Sequence, residues 1–231
     1  MNKHYKTILF IFLIIISYSP ALFAICELGF TERIFNFGHV GIDYKIYHNY
    51  YIYNIGQKSY KLDSINTNCD CSYAISSDSI INPNDTITIK LEFNTANYYG
   101  FNNKQISVYT NYSTLPKLSF PYKSIVGQWP AGVKPDPISL FFLPNHKTKK
   151  ISIPNPVLDN IKLDDILKFD STFSIKILKD EAKRGEKIEL SVDPISNLSK
   201  GTYYSNFTLY IDAIPDKGKI ILTIPIKIVR Y

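Results

Sequence analysis

The hexapeptide YKLDSI at residues 60–65 returns as IKLDDI at residues 161–166, 101 positions later. The same offset carries YIYN (51–54) onto SIPN (152–155), Ile89 and Leu91 onto Leu190 and Val192, and Gly100 onto Gly201. It also carries Ile106 and Val108 onto Phe207 and Leu209, while FPYK (120–123) meets IPIK (224–227) at an offset of 104. One hairpin loop longer by three residues accounts for that change. Several motifs kept in one order at nearly one offset predict two copies of a unit of roughly 100 residues, enough to bury a core of its own.

Within each unit the apolar residues alternate. TITIKLEF (86–93) places Ile87, Ile89, Leu91 and Phe93 on one face, and KIELSV (187–192) does the same with Ile188, Leu190 and Val192. Period two with β-branched and aromatic residues predicts half-buried antiparallel strands. About seven short strands per unit, divided by turn residues, predict an all-β fold of two tandem immunoglobulin-like antiparallel β-sandwiches. NPND (82–85) and KRGE (183–186) are corresponding turns, with Asn84 and Gly185 as the residues that tolerate positive φ. Only LDDILKF (163–169) has a spacing that suggests a helix. The segment GQWPAGVKPDP (127–137) cannot continue a strand ladder and is the predicted linker, dividing a first unit at 25–126 from a second at 138–231.

The N-terminus reads as a targeting segment. Lys3 and Lys6 precede the apolar run ILFIFLIII (8–16), Pro20 closes it, and Ala24 offers a small residue for cleavage. Residues 1–24 are expected to be a signal peptide, so the protein is expected to be exported, periplasmic or extracellular. Membrane attachment is expected only through an uncleaved signal or a lipid on Cys26, although Ile25 stands where lipoprotein signals carry a small residue.

The formal charge of +6, from 26 basic and 20 acidic residues, is scattered along the chain. Runs such as HKTKK (146–150) read as solvated loops, so no nucleic-acid partner is expected. With no nucleophile motif, His-Glu-x-x-His run or phosphate-cradling loop, no enzymatic activity and no cofactor are expected either. The tyrosine-dense YKIYHNYYIY (44–53) offers Tyr51 and Tyr53 as interaction candidates, and the linker offers Trp129, the single tryptophan. Sandwich packing for the tyrosines and a wedge between the units for Trp129 are the competing readings. A protein partner would pair more naturally with an open sheet edge.

Cys69 and Cys71 stand one residue apart in a chain with three cysteines. In extended chain their Cα atoms would lie about 6.7 Å apart, near the upper limit for a disulfide, so a Cys69–Cys71 bond requires a bend. Pairing of either with Cys26 is an alternative. Two thiolates on one face also make Cys69 and Cys71 candidate ligands for Cu(I) or zinc, completed by Cys26, His39 or His48, and a redox role is a further alternative. In the second unit, FDSTFSI (169–175) sets Phe169 and Ser171 where Cys69 and Cys71 stand, which makes the cysteines a local feature of the first unit.

FNFGHV (35–40), YYIYNIG (50–56), CDCS (69–72), INPNDTITIKLEFNT (81–95) and GFNNKQISVYTN (100–111) follow one another in an order that resembles the bacterial family called domain of unknown function 1573. The resemblance covers about residues 33–126. Asp70 replaces the middle glycine of the family's Cys-Gly-Cys-Thr element, and Asn84 replaces its turn glycine. The family is similar in architecture to immunoglobulin-like domains of ciliary and centrosomal scaffolds, sperm proteins and pilus chaperones, mostly interaction modules. The resemblance thus implies an exported, non-enzymatic interaction or structural module of the cell envelope with a protein partner. A thiol-dependent metal-binding or redox protein using Cys69 and Cys71 is the alternative.

Overall fold

The structure is a computed structural model that describes residues 27–32, 34–144, 148–214 and 218–231. The expected signal segment, Cys26 and His146 lie outside the described residues. The first sandwich holds β1 (Leu28–Phe30), β2 (Phe35–Val40), β3 (Lys45–Asn54), β4 (Tyr60–Thr67), β5 (Ser72–Ser76), β6 (Ile80–Ile81), β7 (Thr86–Asn94), β8 (Gly100–Thr110) and β9 (Lys117–Val126). The second holds β10 (Leu140–Phe142), β11 (Lys149–Pro154), β12 (Asn160–Lys168), β13 (Phe173–Lys179), β14 (Glu181–Lys183), β15 (Lys187–Pro194), β16 (Gly201–Ile214) and β17 (Lys219–Arg230).

In the first sandwich a sheet in the order β1-β3-β7-β5 faces β2-β9-β8-β4-β6. In the second, β11-β15-β13 faces β14-β12-β16-β17, with β10 parallel to β17. Alternation decides which side chains face inward. Ile87, Ile89, Leu91 and Phe93 of β7 are buried in one core, and Ile188, Leu190 and Val192 of β15 in the other. The first core ends at Val126 and the second begins at Val133, so the Pro/Gly-rich segment between them, with a short 3-10 turn at Pro130–Gly132, separates two cores.

The ladders of the two sandwiches keep the offset of 101. β3 pairs β7 with Ile52 opposite Ile87, and β11 pairs β15 with Ile153 opposite Ile188. Asn84 and Gly185 both have positive φ, 65° and 83°, in the equivalent turns. Each of these turns closes on a buried asparagine at the end of β3 or β11. Asn54 Nδ2 donates to the carbonyls of Lys58 (2.7 Å) and Ile81 (2.9 Å). Asn155 Nδ2 donates likewise to Leu158 and Ala182, both at 2.9 Å. Each side chain thereby ties a strand end to a loop and to the opposite sheet, where buried carbonyls would otherwise go unpaired.

Two expectations are corrected. The segment LDDILKF is not a helix but part of strand β12. A bulge between Leu163 and Asp165 inserts an extra residue, so Leu163 and Ile166, three apart, both turn to the second core. That spacing imitates a helix. β4 carries the same bulge between Leu62 and Ser64, with Leu62 and Ile65 on the first core. The second correction concerns the cysteines. Asn94 N donates to Cys71 O and Ile195 N to Thr172 O, so the residues equivalent to Cys69 and Cys71 are Asp170 and Thr172, not Phe169 and Ser171.

The sandwiches are also joined edge to edge, through β2 and β17, which run parallel with Leu222 beside His39. One sheet therefore runs through both sandwiches, from β14 to β6. The seam depends on Gly38. This residue follows a bulge at Phe37, has φ +63°, and a Cβ there would lie 2.1 Å from the carbonyl oxygen of Ile221. Beside it, buried Thr223 donates its hydroxyl to the Phe37 carbonyl at 2.6 Å and pairs with Thr208 Oγ1 at 2.8 Å. Thr223→Val keeps the shape but strands that carbonyl, and is expected to cost about 1–2 kcal/mol. Thermal unfolding should show a melting temperature lower by several degrees, with faster hydrogen exchange at the seam.

Candidate functional site

Three regions combine exposure or a cavity with chemistry. The first is a cleft of about 210 Å³ along the seam, lined by Glu32, Phe35, Tyr47, His48, Tyr51 and Phe169 among others. Beyond β1, the free edge of β3 is met by the second sandwich: Asn206 Oδ1 accepts from Tyr47 N at 2.6 Å, and Asn49 Nδ2 donates to Phe169 O at 3.4 Å. The Tyr47 and Phe169 rings lie 5.2 Å apart, and Lys90 Nζ sits 5.2 Å from the centre of each. His48 points inward, stacked on Phe35 at 3.5 Å and joined through Nε2 to Glu32 at 2.5 Å. The contacts of Tyr47 and Asn49 with Asn206 and Phe169 fasten the two sandwiches, while His48 and Glu32 hold the first-sandwich wall of the cleft.

The second region is the outer face of the sheet containing β3, β5 and β7. Tyr51 and Tyr53 stand on it at 39% and 36% exposure, and Tyr73 and Ile75 of β5 at 62% and 43%. Tyr50, by contrast, is fully buried between the sheets, where burial pushes its phenol well above the usual range. Trp129 is half-buried and packs on the second core.

The third region is the start of β5. Cys69 and Cys71 form a disulfide with Cα atoms 5.2 Å apart, across a turn that supplies the required bend. Ser72 Oγ lies 3.3 Å from Cys69 Sγ and 3.5 Å from Cys71 Sγ, and is also hydrogen-bonded to the Tyr122 hydroxyl. Burial raises the Tyr122 hydroxyl to about 12.

In the structure the Cys69 and Cys71 sulfurs are bonded to each other, the disulfide alternative of the sequence, and neither is a free thiolate in that state. His39 and His48, the offered co-ligands, are engaged elsewhere: His39 Nδ1 lies 2.7 Å from the Gln128 carbonyl, and His48 is bound to Glu32. Burial also lowers the His39 pKa below its usual value. Among the described residues no group of three or more His, Cys, Asp or Glu side chains gathers as a metal site.

Open edges were expected but not located by sequence. Among the described strands, β6 and β14 are only two and three residues long, and β11 is bridged by Ser152 to Asp136 of the linker. β13 is unpaired on one side but carries Lys176, Lys179 and a bulge between Ile177 and Lys179, the devices by which edges are kept from pairing. β5, with the sequence SYAIS, has no charge, no proline and no bulge. Asn94 N donates to Cys71 O and Ser77 N to Thr88 O, so the odd-numbered residues of β5 bond to β7. By antiparallel alternation, the backbone N–H groups of Ala74 and Ser76 point to the open side.

No curated protein matches this chain in sequence. Among solved structures, the VesB protease of Vibrio cholerae is similar over 43% of this chain, which spans 32% of that one, at 8% identity and a TM-score of 0.38. A protein of unknown function from Porphyromonas gingivalis W83 is similar over 87% of this chain and all of its own, at 10% identity and a TM-score of 0.34. The YadV chaperone is similar over 86% of this chain and 99% of its own, at 13% identity and a TM-score of 0.35. A family model described as "Protein of unknown function (DUF1573)" matches residues 28–120. It does not reach the second sandwich, whose likeness to the first rests on shared ladder, bulge and turn positions. Over residues 28–120, most of the first sandwich, the chain is similar to the DUF1573 family.

Proposed function

We propose that this protein is an interaction module of the cell envelope, and that it takes up an extended segment of a protein partner along β5. The observation that supports this most is the contrast between the two equivalent edges. β13 is guarded by lysines and a bulge, whereas β5 presents an uncharged edge with outward-pointing amides. A strand added there would form main-chain hydrogen bonds to Ala74 and Ser76, and its apolar side chains would meet Tyr73 and Ile75. The apolar run at residues 8–16 supports export, and a partner would then share that compartment.

Ala74→Pro tests the reading, because it removes an amide that faces the open side while leaving the bonds from β5 to β7 in place. Envelope proteins captured on the wild-type chain should be lost from the variant while the melting temperature stays unchanged. An identical set of captured proteins on both chains would reject β5 as the docking edge.

A further inference from the structure

The Cys69–Cys71 bond does little that the fold requires. Its turn is already held by hydrogen bonds: Thr67 Oγ1 lies 3.1 Å from the carbonyl oxygens of both Cys69 and Ser72, which share its one proton, and Asn94 N donates to Cys71 O at 2.9 Å. At the equivalent position of the second sandwich the same turn is closed without sulfur. Thr172 donates from both its backbone N (3.0 Å) and its Oγ1 (2.6 Å) to Asp170 Oδ1. A cross-link between residues only two apart also restrains very little of the unfolded chain.

What the first sandwich has in addition is a hydroxyl placed against both sulfurs. Buried Tyr122 stays protonated and can donate to Ser72 Oγ. The proton of Ser72 is then free to turn toward either sulfur, 3.3 and 3.5 Å away. Both cysteines are half-buried, and Cys71 packs against the first core while Cys69 lies in the turn, so attack is assigned to Cys69.

The geometry points to Cys69–Cys71 as a thiol–disulfide exchange site whose substrate is a protein dithiol, with Ser72 stabilising the sulfur that leaves. A thiolate of the substrate attacks Cys69 Sγ. The bond between Cys69 and Cys71 breaks, its electron pair departs with Cys71 Sγ, and the Ser72 hydroxyl donates to that new thiolate. The second thiolate of the substrate then attacks its own sulfur in the mixed disulfide and expels Cys69. The substrate loses two electrons and two protons, and the protein's disulfide gains them as two thiols. This goes beyond docking at β5 and stands or falls separately, since Ala74→Pro leaves the sulfurs and Ser72 in place.

The test uses the full chain, with dithiothreitol as the dithiol and glutathione as the monothiol, and reads each cysteine by the mass of its alkylated peptide, which keeps Cys26 apart. The folded protein is expected to oxidise one equivalent of dithiothreitol and to reclose with oxidised dithiothreitol, its melting transition remaining cooperative throughout. Oxidised glutathione should form its adduct on Cys69 in Cys71→Ser. Ser72→Ala should slow opening about tenfold, and Ser72→Thr should recover most of the rate. A bond that opens only in denaturant, an opened protein that has lost its fold, or Ser72→Ala reacting at the wild-type rate would each overturn the proposal.

Discussion

Gly38→Ala is expected to unfasten the two sandwiches. At φ +63° an added Cβ carries a conformational cost of about 1–2 kcal/mol, before any contact is considered. The same Cβ would also sit 2.1 Å from the Ile221 carbonyl oxygen, and backbone in a paired strand cannot yield as the end of a flexible side chain can. Together the two effects should cost about 3 kcal/mol or more, in the range reserved for backbone strain and overpacking. Urea unfolding should then show the single transition of the wild type separating into two, with the second sandwich unfolding independently of the first. A variant with an unchanged midpoint would mean that β2 and β17 are not held together at this residue.

The second large effect is expected at the paired asparagines. Asn54→Ala removes two donors to buried carbonyls and also the acceptor of Gly56 N, which lies 2.9 Å from Asn54 Oδ1. Asn155→Ala does the same to Leu158 and Ala182, and strands Leu158 N. Since an unpaired buried group costs about 1–3 kcal/mol, each change should lower stability by about 3 kcal/mol. Because the two sites are equivalent, the losses should be similar. Each should increase hydrogen exchange chiefly in its own sandwich, and equal exchange throughout the chain would contradict that localisation.

Much of this architecture is legible in the sequence because burial imposes a period. The alternation in β7 and β15 and the turns at Asn84 and Gly185 follow from side-chain identity at fixed spacing. Residues 163–169 misled because a bulge places residues three apart on one face, and a bulge leaves no mark of its own in composition. The cysteine equivalence was read one position off because FDSTFSI offers no sulfur to align. The offset of 101 carried through this stretch sets Asp170 and Thr172 there, and the pairing of Ile195 N with Thr172 O fixes that register. Asn54 and Asn155 could have been found: a polar residue on the inward face of a strand, repeated at the offset of the whole unit, already marks a buried hydrogen-bonding role. The seam could not. A single parallel contact between two edges requires only that Gly38 lack a side chain, which a sequence read alone cannot tell from a turn. Likewise the difference between the β5 and β13 edges became a functional signal only once both were known to be edges.

The seam also constrains the order in which the protein can be built. Phe37 and its hydrogen-bonding partner Thr223 are 186 residues apart in the chain. During synthesis the first sandwich can therefore assemble while its β2 edge still lacks a neighbour, and that edge is satisfied only when β17 emerges. At typical rates of about 5–20 residues per second, the roughly 100 residues between β9 and β17 leave an adhesive strand uncovered for about 5–20 seconds, long enough to meet another nascent copy. A chaperone that shields a lone edge would be most useful in that interval. A chain stalled just before residue 219 would be the form most prone to self-association.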